Sequence, residues 1–265
     1  MENSSSNHVP ILAFHKIDPK FEWGVTRLTP SQFRKVLHYL NEHGYSTISL
    51  QSLFNPEFIF PSKPIVLTFD DAYESFYTHT HPIMNEFGYT GTIFIISNYV
   101  GKKNDWDVNL GWKTFQHLNW EQILDLKNQG YEFGSHTVHH PNLTRIDDRW
   151  MQYELEKSKF DIEEKLNEQI EFISFPFGRY NKKVVQFCLK IGYVKGCGFL
   201  RNYREKKESF VIERKAYYLF DRVCNIQPKL GGHPFSWMEN IKLRAVNYCS
   251  YGSSLVKPPV RPYQL

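Results

Sequence analysis

The chain has 265 residues, with 32 Lys and Arg against 28 Asp and Glu and a formal net charge of +4. Its 41% hydrophobic, 16% aromatic and 23% charged residues form a core-building balance that excludes intrinsic disorder. No apolar run approaches the roughly 18 residues of a membrane span, and the scattered, mildly positive charge argues against a nucleic-acid partner.

Met1–Pro10 has no basic stretch followed by an apolar one, so no signal peptide is expected and the expected location is cytoplasmic. Pro10–Phe14 reads as a short apolar strand that ends at His15. Thr29-Pro30 then opens a helix, with Thr as N-cap, Pro in the first turn and Phe33, Val36, Leu37 and Leu40 on one face; Gly44 closes it. Pro64–Phe69 is a second apolar strand, ending at Asp70-Asp71, and a helix is predicted from about Ala72 to Phe87. A strand follows over Thr92–Ile96, then a helix over Trp120–Asn128, then a strand over Tyr131–Ser135 that runs straight into His136. Leu155, Lys159, Ile162 and Leu166 mark a long helix; strand Glu171–Phe175 and helix Lys182–Ile191 complete the pattern. Cys188, Cys197, Cys224 and Cys249 are too irregularly spaced for a zinc pattern and read as ordinary thiols.

Strands alternating with amphipathic helices predict parallel βαβ units in one α/β domain over residues 1–265, with residues 231–265 a C-terminal extension that matches no pattern. In such architectures chemistry sits at the C-terminal ends of strands, where His15, Asp70-Asp71, His136 and the Pro176–Tyr180 segment all fall.

Adjacent strand residues point in opposite directions, so Asp70 and Asp71 can do different jobs, one holding a cation and the other free as a base. The plain alternative is a helix N-cap. His136, His139 and His140 put three imidazoles within five residues, and a turn between His136 and His140 brings both rings to one ion. Two His and one Asp leave positions open on a divalent metal, which lowers the pKa of bound water to roughly 7 and polarises a carbonyl. The residues alone thus point to hydrolysis of an amide or ester.

TFDDAY (Thr68–Tyr73), SHTVHHPNLT (Ser135–Thr144) and FPFGRYN (Phe175–Asn181) resemble, in this order, the motifs of the polysaccharide deacetylases, the NodB-homology group of carbohydrate esterases known as family four. The resemblance runs from about Ile11 to Arg214 and implies a distorted (β/α) barrel of about seven parallel strands. It also implies metal-dependent removal of N-acetyl groups from N-acetylglucosamine-type sugars or polysaccharides. By position Asp70 would be the general base, while Asp71, His136 and His140 would bind a divalent metal: zinc, nickel, cobalt or iron, with zinc favoured. His139 is the spare histidine, and the neighbouring pair leaves open which of the two is the ligand.

LAFHKI (Leu12–Ile17), followed by Phe33–Leu50, is similar to the branch acting on poly-β-1,6-N-acetylglucosamine, in which a histidine near the N-terminus replaces a later one. His15 would then be the general acid that protonates the departing amine, with His233 a weaker competitor. The third motif departs from the family pattern, having no Arg ahead of Pro176, so what orients Asp70 is open; Arg214 is the candidate. A backbone N–H after Phe175 or Phe177 is a candidate oxyanion donor, although Pro176 itself cannot donate. Phe177 and Tyr180 are the candidate sugar-binding aromatics; Trp106 and Trp112 lie in a polar loop at the possible substrate rim, and Trp120 is expected to pack in the core. Two rival functions remain at this point, hydrolysis of a non-sugar amide and non-catalytic carbohydrate binding.

Overall fold

The computed structural model describes residues 9–22, 25–104, 114–199, 210–231, 234 and 236–256, with side chains as far as residue 246 in the last of these. Trp106, Trp112, His233 and the side chain of Cys249 lie outside the described residues.

In chain order the elements are β1 (Ile11–Phe14), β2 (Lys16–Ile17), β3 (Arg27–Leu28), α1 (Pro30–Glu42), β4 (Ser46–Thr47), α2 (Leu50–Phe54), β5 (Pro64–Phe69) and α3 (His81–Glu86). There follow β6 (Thr92–Ile95), α4 (Trp120–Asn128), β7 (Glu132–Ser135), α5 (Asp148–Leu166), β8 (Phe172–Ser174) and α6 (Lys182–Ile191). The last elements are β9 (Lys195–Phe199), β10 (Val211–Ala216), α7 (Ile226–Leu230) and α8 (Ser236–Val256). Strand β1 pairs in parallel with β5 on one side and β10 on the other, and the order β5-β6-β7-β8-β9-β10 closes the ring. The result is a seven-stranded parallel barrel, as the family resemblance implies, with β4 added outside it on β5.

Period-two alternation divides each strand between two environments. Ile65, Leu67 and Phe69 of β5 join the main core beneath the helices, whereas Val66 packs with Ile11, Phe94, Phe172 and Cys197 from four other barrel strands. Ile212 of β10 packs against this layer, and two residues further along β5, β8 and β10 come Thr68, Ser174 and Arg214, a polar group that leads to Asp70. Gly134 and Gly196 make room inside this arrangement: a Cβ at Gly134 would lie 2.5 Å from the Phe94 ring, and one at Gly196 would lie 2.4 Å from Phe175.

Local signals placed several elements to the residue. Thr29 and Gln32 form a reciprocal capping box with Pro30 in the first turn of α1, and Asn119 and Asn181 cap α4 and α6. The helix expected from Ala72 starts late. Asp71 and Ala72 are left-handed (φ 72° and 51°), a π-helical turn spans Phe76–Thr80, and α3 begins only at His81. Pro82, which has no N–H, prevents a regular hydrogen-bond ladder across that junction.

At the C-terminal end of the barrel, Leu243 and Val246 of α8 pack on Ala13, Phe199, Ala216 and Tyr218. Beside this contact the buried Lys229, Asp221 and Glu239 and the half-buried Lys242 form a charge-balanced ion cluster, and Lys229 Nζ also donates to the Ala216 carbonyl of β10 at 2.8 Å.

Candidate active site

Five of the six non-glycine residues with positive φ among the described residues are Asp71, Ala72, Thr137, His140 and Phe177. All lie where β5, β7 and β8 leave the barrel, and such backbone persists only where its surroundings over-determine it. Around Asp71 those surroundings are the Phe115–Leu118 segment. His117 Nδ1 donates to the Asp71 carbonyl at 2.7 Å, Leu118 N–H donates to the Ala72 carbonyl at 2.8 Å, and the His117 ring stacks on Tyr73.

The two carboxylates do diverge. Asp70 is 1% exposed and receives both arms of the Arg214 guanidinium, Nη1 to Oδ1 and Nη2 to Oδ2, each at 2.8 Å. Arg214 is held in turn by Thr68 Oγ1 (3.1 Å) and Ser174 Oγ (2.8 Å) and lies against the faces of Phe94 and Phe199. Arg214 thus reaches Asp70 from β10, which pairs with β1 on the side away from β5. His15 Nε2 lies 3.9 Å from Asp70 Oδ2, with its ring stacked on Phe199.

Asp71 turns to the histidines. Its Oδ1 lies 3.4 Å from His136 Nε2 and 3.7 Å from His140 Nε2, and one ligand atom from each of the three residues falls within 4.8 Å of the others. His136 Nδ1 donates to the Ser174 carbonyl at 2.7 Å, which fixes the ring with Nε2 toward Asp71. His140 faces the same atom, whereas His139 turns away and donates from Nδ1 to Glu154 at 2.7 Å.

Burial pushes the Asp70 carboxyl up, but the charges of Arg214, His136 and His15 together with the Arg214 hydrogen bond outweigh it and hold Asp70 below the ordinary carboxylate value. Asp71 is lowered as well: its burial is outweighed by the imidazoles of His136 and His140 that face it. His136 is driven down by burial and up by Asp71 and Asp70, with a net rise. Burial first, and the His136 charge second, push His140 down to about 3, so its imidazole is neutral, the form that binds metals. Asp71 Oδ1 is buried and accepts no hydrogen bond from protein. A buried acceptor of that kind beside two imidazole nitrogens is a donor set that fits a divalent cation.

Phe177 stands on this rim, its ring centroid 4.7 Å from that of His140. Tyr180 packs instead along Phe175 and over Gly198. Trp120 packs against the main core, as expected. The oxyanion donor expected after Phe177 is spent, because Gly178 N–H donates to the Phe175 carbonyl at 2.8 Å. A cleft of about 710 Å³ begins at Tyr73 and includes Asp18, Glu74, His79, Phe115 and Gln116 in its walls. A larger cavity of about 920 Å³, between α1, α7 and α8, contains none of the site residues.

Sequence reasoning missed Glu154, His117, Ser174 and Phe199. Only Glu154 carried a signal: it sits in the stripe Trp150, Met151, Glu154, Leu155, Ser158, Ile162 that α5 buries, where a charge requires partners.

The polysaccharide deacetylase family model matches residues 59–196. YxkH of Bacillus subtilis (strain 168), named a polysaccharide deacetylase by inference, is 29% identical over 191 residues, 71% of this chain and 63% of its own length. Poly-beta-1,6-N-acetyl-D-glucosamine N-deacetylase of Staphylococcus aureus (strain MRSA252) is 20% identical over 203 residues, 72% of this chain and 66% of its own. The chain therefore spans about two thirds of the length of these relatives. Among solved structures, the Streptococcus pyogenes deacetylase PplD in complex with acetate aligns with a TM-score of 0.72 at 23% identity, over 84% of this chain and 98% of that one; this likeness shows the fold.

Proposed function

The chain belongs to the polysaccharide deacetylase family, and from that premise we propose that it removes N-acetyl groups, with a divalent metal ion, from N-acetylglucosamine-type sugars or polymers. The observation that carries the reading is the pairing of two differently held carboxylates: Asp71 facing two imidazoles, and Asp70 locked to a buried arginine.

Asp71, His136 and His140 would hold the metal, zinc being the ion favoured by this donor set. When bound there, the ion supplies Lewis-acid polarisation of the acetamide and acidifies water. The remaining chemistry falls to the chain. Asp70 takes a proton from water as the water oxygen bonds to the acetyl carbon. Arg214 keeps that carboxylate ionised and fixed in direction, while each Asp70 oxygen retains a lone pair beyond the one Arg214 uses. The carbon–nitrogen bond then breaks and His15 protonates the sugar nitrogen, so acetate and a free amine leave. Phe177, beside His140, offers an apolar face to the sugar ring, and the cleft from Tyr73 to Asp18 gives room for neighbouring units of a polymer. The name of the Staphylococcus aureus relative supports a β-1,6-linked N-acetylglucosamine polymer as substrate.

The test is acetate release from β-1,6-linked N-acetylglucosamine oligomers by chelated and zinc-restored protein, with Asp70→Asn alongside. The expected result is chelator-sensitive turnover, restored by about one zinc per chain and reduced about 10²–10⁴-fold in Asp70→Asn. Turnover that survives chelation, or a zinc-loaded Asp70→Asn that matches the wild type, overturns the proposal.

A further inference from the structure

We propose that Glu154, on α5, is a positioning residue that sets the metal affinity of the site by fixing the turn between His136 and His140. This inference rests on the metal reading above.

The carboxylate is fully buried. Its Oε2 accepts from the backbone N–H groups of Val138 (2.9 Å) and His139 (2.8 Å), and its Oε1 accepts from His139 Nδ1 (2.7 Å) and Trp150 Nε1 (3.0 Å). A carboxylate has two lone pairs on each oxygen, and here all four are taken. The backbone amides and the indole can only donate, so both Glu154 oxygens serve as acceptors, and His139 donates to Oε1 from Nδ1.

Three of those four bonds go to Val138 and His139, two of the three residues lying between the metal ligands. The turn they belong to is one that side-chain-bearing residues avoid, with Thr137 at φ 68° and His140 at φ 58°. Its two ends are secured separately: His136 N–H donates to the Ile95 carbonyl at 2.7 Å, and His140 N–H donates to Thr137 Oγ1 at 3.0 Å. Ser97 and Asn98 N–H groups tie the Thr137 and Val138 carbonyls to the end of β6. The middle of the turn presents two N–H groups and an imidazole toward α5, where Glu154 is their acceptor. Both Nε2 atoms reach the same Asp71 oxygen only while this turn keeps its bend. His139 thus has a place in the motif although it faces away from the ion: it is the turn's side-chain handle on α5.

Zinc dissociation constants of folded, metal-free protein, measured by competition with a chromophoric chelator, separate positioning from packing. Glu154→Gln keeps size and shape but directs an amide NH2 at donors; the expected result is binding about 10–100-fold weaker than wild type. Trp150→Phe removes a bond from the same carboxylate without touching the turn and is expected to bind zinc as the wild type does. A folded Glu154→Gln with the wild-type constant, or a Trp150→Phe weakened as much as Glu154→Gln, overturns the inference. If Glu154→Gln does not fold, His139→Phe decides: it keeps the ring that lies alongside Tyr153 but gives nothing to Oε1. A several-fold weakening supports the inference and an unchanged constant overturns it. A wild type that binds no zinc overturns the metal reading itself, whereas wild-type binding matched by Glu154→Gln overturns only the role of Glu154.

Discussion

Replacing Arg214 by Met isolates the contribution of the guanidinium, because Met fills much of the same space without charge. Arg214 and Asp70 are both about 1% exposed and joined by two 2.8 Å bonds, so the variant leaves Asp70 as a buried anion without its bidentate partner and takes a donor from each of Thr68 Oγ1 and Ser174 Oγ. Removing one partner of a buried pair costs about 3–5 kcal/mol. At about 2–4 °C per kcal/mol for a chain of this size, the melting temperature should fall by roughly 6–20 °C. The pH dependence is the sharper readout. In the wild type Asp70 is held below its ordinary value, so its stabilisation is complete above the unfolded-state value and is lost only as the pH falls through the depressed one. In Arg214→Met burial acts against only the imidazoles of His136 and His15, and the carboxyl must rise. The acid limb of kcat/KM for acetate release should therefore move to higher pH, with zinc binding retained because Asp71, His136 and His140 are intact. Thermal melts and a pH–rate profile check both parts. A variant with the wild-type acid limb and melting temperature would refute the assignment of Asp70 orientation to Arg214.

Two further substitutions probe the scaffold. Gly134→Ala places a methyl group 2.5 Å from the Phe94 ring and 2.9 Å from the Phe172 carbonyl, so overpacking should cost about 1–3 kcal/mol, read as a lower urea midpoint at unchanged slope. An unchanged midpoint would mean that the barrel interior yields more readily than its packing indicates. Asp221→Asn removes a charge that Lys229 and Lys242 share and leaves the fully buried Lys229 ammonium with Glu239 alone, a loss of about 3–5 kcal/mol that falls on the seat of α8. Limited proteolysis followed by mass analysis should then cut near α8 while the barrel strands stay protected; equal protection in variant and wild type would show that Leu243 and Val246 seat α8 without the ion cluster.

What the sequence disclosed and what it concealed divide along a physical line. The starts of α1, α4 and α6 were legible because Thr29, Asn119 and Asn181 act on backbone within three residues of themselves. The apolar run of β5 and the carboxylate and imidazole motifs at the strand ends were legible for the same reason: each is contiguous in the chain. Strands β9 and β10 were not. Gly196 and Gly198 weaken any strand pattern, and their missing Cβ atoms are explained only by the rings of Phe175 and Tyr180, which arrive from another part of the chain. Arg214 could be named from the sequence only as a candidate to orient Asp70, because Glu213, Arg214 and Lys215 look like an exposed surface stretch; among the described residues its side chain is one of the most buried, since Asp70, 144 residues earlier, faces it inside the closed ring. A charge can enter a barrel only when its partner is already there, and barrel closure through β1 is what brings the two together. The same logic applies to Glu154, whose place on a buried helical stripe announced that it had partners but not that they were the turn between two histidines. Residues that bear reactive groups are thus readable from local motif, whereas the contacts through which Arg214 and Glu154 aim those groups become readable only once the ring has closed.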